Sequence, residues 1–151
     1  MKEATFKAGA PGGNSGLYID PLADPASCAR DIPLLKKLGT NTLRIYTIDP
    51  TLDHTVCMRL LQDNGIYIFA DLSQPRVSIT VDTPTWDDTL YSRYISVVDA
   101  IQNYTNVIGF FAGNEVPNSP SNTGAAVFVR AAVRDVKAYI KQKGYRNIGV
   151  G

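Results

Sequence analysis

Histidine is nearly absent from this chain: His54 is the single one in 151 residues. The two cysteines, Cys28 and Cys57, have no zinc-ligand spacing, so the ligand supply argues against a metal site, and no cofactor motif stands in its place. Two cysteines are also too few for a small disulfide scaffold, and a pair of buried thiols stays open from local sequence. Neither sign of charge is in excess. Fifteen basic and fourteen acidic residues leave a formal charge of +1, and no run of Lys or Arg exists to engage nucleic acid or an anionic membrane. No apolar stretch is long enough to span a bilayer, and Met1-Lys2-Glu3-Ala4 does not read as a signal peptide. The beginning is read as the point where a leader was removed, or as an internal start within a longer protein. Glutamate is scarce as well, with Glu3 and Glu115 the only two.

What is present is an ordered alternation. At 151 residues the chain has the size of one domain. Thr5 to Ala10 reads as a weak strand, followed by the turn-rich Pro11-Gly12-Gly13-Asn14-Ser15-Gly16. A helix follows, with Asp24 as N-cap, Pro25 at its first position and Gly39 past its end, and with Cys28, Ile32, Leu35 and Leu38 on one face. Pro33 removes an amide donor inside it, which predicts a kink or break. Thr42 to Tyr46 reads as a strand, Asp53 to Asn64 as a helix with Val56, Cys57, Leu60 and Leu61 inward, and Ile66 to Asp71 as the next strand. Asp87 to Asn103 has helical spacing of Leu90, Tyr91, Tyr94, Val97, Val98 and Ile101. Val107 to Phe111 is an apolar strand. A helix from about Ala125 carries Val129, Val133, Val136 and Ile140, and Asn147 to Gly151 opens one more strand.

Strands alternating with helices predict right-handed crossovers and a parallel sheet. Two architectures accommodate five strands and four helices: a doubly wound open sheet, complete at this length, or part of an eight-stranded barrel, which normally needs about 250 residues. Pro11 to Gly16 has neither dinucleotide glycine spacing nor the lysine of a phosphate loop. Length alone favours the open sheet.

On either architecture the carboxyl ends of the strands gather on one rim, and they bring Arg44, Tyr46, Asp71, Asn114 and Glu115 there. A carboxylate pair, an arginine, an amide and an aromatic ring suit carbohydrate hydroxyls and sugar faces. Glu115, directly after Asn114 where the apolar strand turns polar, is the leading catalytic candidate; a helix-capping carboxylate is its other reading. Arg44 could be a buried partner for a carboxylate and Asp71 a turn cap. His54 is read as a helix-start residue and not as a ligand or base. Asn103-Tyr104-Thr105 is an N-glycosylation acceptor.

Several segments together resemble the fungal β-1,3-glucanosyltransferases of glycoside hydrolase family 72. They are Asp20 to Pro25 with Cys28 to Pro33, Asn41 to Tyr46 with Asp49-Pro50, Asp53-His54 with Cys57-Met58, Gly65 to Tyr67 with Asp71, and Phe110 to Val116. The resemblance runs from about Pro11 to Gly151 in the same order. It implies a retaining enzyme on a (β/α)8 TIM barrel, of which residues 1–151 are a single partial domain, strands 1 to 4 and the start of strand 5, continuing further in the family. It also implies Glu115 as acid/base, Asn114, Tyr46 and Asp71 as substrate-binding residues, Arg44 as their support and a Cys28–Cys57 disulfide, hence an oxidising compartment. The implied partners are β-1,3-glucan donor and acceptor chains. The implied location is the cell surface or wall, with membrane attachment only through a GPI anchor outside this chain.

By that resemblance, Glu115 protonates the departing glucan, a second carboxylate about 5 to 5.5 Å away attacks the anomeric carbon, and Glu115 then deprotonates an incoming glucan hydroxyl. Two departures accompany the match. The family nucleophile is a strand-seven glutamate that would lie beyond Gly151, which predicts that these residues alone are inactive. Gly9-Ala10 stands where the family carries a Tyr-Gln pair. A non-catalytic glucan-binding half-barrel and a hydrolytic β-glucanase are the alternatives.

Overall fold

The computed structural model describes residues 3–6 and 19–151. Among these residues five strands alternate with four α-helices: β1 (Glu3–Phe6), α1 (Pro25–Lys37), β2 (Thr42–Ile45), α2 (Thr55–Asp63), β3 (Tyr67–Asp71), α3 (Asp88–Ile101), β4 (Val107–Phe111), α4 (Ala126–Gln142) and β5 (Gly149–Val150). A short 3₁₀ turn, Pro120–Ala125, leads into α4. The strand expected at Thr5 to Ala10 is seen from Glu3 to Phe6; Lys7 to Ala10 and the loop Pro11 to Gly16 lie outside the described residues.

All neighbours are parallel and their order is β1-β2-β3-β4-β5. That order decides between the two architectures. A doubly wound sheet reverses direction at a switch point; this one never does. When each right-handed crossover steps the same way, every helix falls on one face and the sheet curls toward closure. The chain forms the first half of a (β/α)8 barrel, and the open sheet favoured by length is not what forms.

The helix-facing side of the sheet is a dry core. Leu43, Ile45, Ile68, Ala70, Phe110 and Val150 share one buried cluster with Ile32, Leu61, Val97 and Val136 from the helices. The alternate strand positions face the barrel interior, where Phe69 and Phe111 stack at 5.3 Å and Tyr67 stays 48% exposed. Gly109 sits beside Phe69 in register. A Cβ there would come within 2.5 Å of the Phe69 ring, so the absent side chain makes room for the aromatic one.

The helices follow their punctuation with three corrections. Asp24 caps α1 by accepting from the amides of Ala26 and Ser27. The helix continues through Pro33 without the expected break. Pro33 is exposed, so the Ala29 carbonyl that loses its partner lies on the wet side and water can satisfy it. Leu38, expected inward, is the C-cap and 71% exposed. On α2 the inward residue is Met58, fully buried, while Val56 is 46% exposed. Helical phase places Met58 one turn before Leu61, whereas Val56 lies on the flank. The implied disulfide is present: Cys28 and Cys57 are bonded with their Cα atoms 5.5 Å apart, joining α1 to α2.

Candidate active site

Arg44 is the centre of the rim. Its Nε and Nη2 donate to the two carboxylate oxygens of Asp71, each at 2.9 Å, and Nη2 also donates to Asn114 Oδ1 at 2.9 Å. The guanidinium lies between two rings, 4.5 Å from the Tyr46 centroid and 4.6 Å from that of Phe111. A planar fork stacked between aromatics is a use of arginine that lysine cannot reproduce. Five residues at the ends of three strands are thereby locked to one another. Burial raises the Asp71 carboxyl above its ordinary range; the Arg44 fork pulls the other way.

Glu115 follows in a strained turn. Its φ is +53°, a left-handed conformation that non-glycine residues seldom adopt and that costs about 1–3 kcal/mol. The strand ends at Phe111, and both backbone groups of Ala112 are then used: its amide donates to the Gly151 carbonyl at 2.8 Å and its carbonyl accepts from Tyr94 at 2.7 Å. Asn114 and Glu115 are exposed. The helix-cap reading of Glu115 fails, since the turn before α4 is capped by Ser119.

A cavity of about 350 Å³ opens beside this cluster, lined by Tyr46, Asp71, Ser73, Ile79, Gly113 and Asn114 among others. Its far wall is a tight two-residue hairpin. Gln74 and Val77 exchange backbone hydrogen bonds across Pro75 and Arg76, and Arg76 takes φ +74°, the left-handed third position of a type II turn. Hydroxyls and an amide alternate there with apolar faces, a lining suited to a sugar.

Of the rim residues read from the sequence, Arg44, Tyr46, Asp71 and Asn114 meet in one cluster, and Glu115 adjoins it as the next residue after Asn114. Phe111, the β3–α3 wall and Tyr94 were not anticipated. Phe111 could have been found by counting two residues from Gly109, whereas the wall and the Tyr94 bond are long-range and leave no local signal. His54 stands at the start of α2, as read; it is 2% exposed and its Nε2 lies 2.8 Å from Asp20 Oδ2. Asp20 also accepts from the amides of Leu22 and Asp49, so the pair ties the loops ahead of α1 and α2 together. Asn103 is exposed just beyond α3, at the opposite end of the barrel from the rim. Among the described residues no cluster of His, Cys, Asp or Glu could hold a metal, and no helix is long and apolar enough to cross a membrane.

A family model described as glucanosyltransferase matches residues 4–151. The chain belongs to that family. It is 66% identical over 134 residues to a 1,3-beta-glucanosyltransferase of Arthroderma benhamiae, covering 89% of this chain and 25% of the relative. It is 53% identical over 134 residues to a 1,3-beta-glucanosyltransferase of Saccharomyces cerevisiae, covering 89% and 24%. Among solved structures, Saccharomyces cerevisiae Gas2p in complex with laminaripentaose superposes with a TM-score of 0.94 at 49% identity, covering 99% of this chain and 34% of that one. The chain spans about a quarter of the length of the curated relatives it matches.

Proposed function

We propose that this segment carries the acid/base half of a retaining 1,3-β-glucanosyltransferase, and that residues 1–151 form one partial barrel domain completed by further strands. Glu115 is the acid/base. Asn114, oriented by its bond from Arg44, offers its NH2 donors to a sugar hydroxyl at the reacting ring, where such bonds strengthen in the transition state. Tyr46 and Asp71 line the donor subsite, and Arg44 holds the set in register. The donor and the acceptor are β-1,3-glucan chains, in keeping with the laminaripentaose bound by the Saccharomyces relative. The Cys28–Cys57 bond fits an oxidising compartment, and so a secreted or wall-bound enzyme at the cell surface. Attachment to the outer membrane face through a GPI anchor outside this chain, and glycosylation at Asn103, belong to the same reading.

The observation that carries the reading is Glu115 held in a left-handed turn at the carboxyl end of β4, beside an asparagine already engaged by the Arg44–Asp71 pair. Asp71, the other rim carboxylate, is held at both oxygens by the Arg44 fork, which suits a donor-site residue, and the nucleophile is assigned to a glutamate of a later strand. The test is Glu115→Gln in a full-length enzyme carrying these residues, with laminarin-type oligosaccharides as substrate. Loss of both longer and shorter products, at least about 100-fold in rate, is expected for a missing acid/base; undiminished elongation refutes the assignment. Products that are only shorter in the parent enzyme would favour a hydrolytic glucanase instead.

A further inference from the structure

The structure assigns to Tyr94, on α3 behind the sheet, the positioning of the Gly113-Asn114-Glu115 turn, exerted through the Ala112 carbonyl. The inference rests on Glu115 being the proton-transferring group, and it concerns what keeps that group in place.

Tyr94 is fully buried and so out of reach of any sugar. Its hydroxyl donates at 2.7 Å to the carbonyl of Ala112, the residue between the last strand position and the turn. The phenol therefore ties the end of β4, the strand that delivers Glu115, to α3. Arg44 joins Asp71 of β3 to Asn114 beyond β4 from the barrel interior. The phenol cannot swing away, because the Trp86 ring packs edge-on against it at 5.0 Å and the Trp86 indole N–H is itself bonded to Asp135.

The turn needs such a restraint. Glu115 at φ +53° persists only where its surroundings over-determine the backbone. Space is short on the α4 side as well: a Cβ on Gly113 would lie 3.1 Å from Val116 Cγ2 and 3.4 Å from Val129 Cγ2. Releasing the Ala112 carbonyl lets the peptide plane rotate and moves the Glu115 carboxyl, and misplacement by about 1 Å can cost roughly 100-fold in rate.

The experiment uses a full-length glucanosyltransferase carrying this segment, with Tyr94→Phe as the decisive variant and Tyr139→Phe as its match. Tyr139 gives its hydroxyl to Asp99 between α3 and α4, remote from the rim. Tyr94→Phe is expected to lower kcat by about 10- to 100-fold while KM for donor glucan stays within about twofold. Tyr139→Phe is expected to leave kcat unchanged at a similar loss in Tm. Tyr94→Phe with unaltered kcat overturns the inference, and so does an equal kcat loss in Tyr139→Phe, which would mark a general stability effect. Should Tyr94→Phe fail to accumulate folded, Gly113→Ala presses on the same turn from the α4 side, and an unchanged kcat there overturns the inference too. Glu115→Gln separates the two claims. An active Glu115→Gln enzyme removes the functional reading; an inactive one beside an unimpaired Tyr94→Phe removes only the role of Tyr94.

Discussion

Arg44 is the residue on which the others depend. It meets Asp71, Asn114, Tyr46 and Phe111 at once, and an Asp71 carboxylate that is 1% exposed would be uncompensated without it. Arg44→Ala is expected to destabilise the domain by about 3–5 kcal/mol, measured by chemical denaturation. Arg44→Lys keeps the charge but loses the fork, and recovers only part of that loss. Tyr94 gives a pH signature at the same scale. Burial pushes its phenol from 10.0 up to about 12, so above pH 10 the unfolded chain ionises this group while the folded one does not. The unfolded state then binds fewer protons, and stability falls as pH rises from about 10 to about 12. Denaturation midpoints at pH 9 and pH 11.5 should converge in Tyr94→Phe relative to its parent; an unchanged alkaline loss would assign the effect to other tyrosines.

At the scale of elements, two packing devices set the layers. The Cys28–Cys57 bond closes a separation of 29 residues between α1 and α2. Reduction or Cys57→Ala is expected to cost on the order of 3 kcal/mol, read from unfolding with and without reductant. Between β3 and β4 the fit is steric, since the Phe69 ring fills the place of a Gly109 side chain. Gly109→Ala should destabilise by about 1–3 kcal/mol and displace the Phe69–Phe111 stack under Arg44, detectable as a shifted near-ultraviolet circular dichroism signal. These contacts explain uneven legibility. Caps and glycine stops are local chemistry, so Asp24, Gly39 and Gly65 could be placed from the sequence. Helical phase at Leu38 and Val56 could not, because the neighbour that covers a face is chosen by tertiary packing.

The whole molecule presents the consequence of its strand order. Among the described residues β1 and β5 each pair on one side only. The barrel-facing side, with Tyr67 half exposed and Phe69 and Phe111 partly covered, is an apolar wall. Such edges and surfaces favour association. Residues 1–151 produced alone are expected to elute as oligomers or aggregates in size-exclusion chromatography with light scattering, and to yield no elongated glucan. A monodisperse monomer with a sharp cooperative melt would contradict the first expectation, and longer laminarin products the second.

The amino-acid order by itself determined the alternation of strands and helices, the gathering of Arg44, Tyr46, Asp71, Asn114 and Glu115 at strand ends, and the helix caps. Each of these is written in periodicity or in short-range hydrogen bonding. Tertiary structure alone decided that the sheet steps in one direction without reversal, that Asp71 is committed to Arg44, and that Glu115 rests in a left-handed turn tied back to Tyr94. Those outcomes depend on atoms brought together from 18 to 70 positions apart along the chain, and no local pattern encodes which distant partner a buried donor or carbonyl will meet.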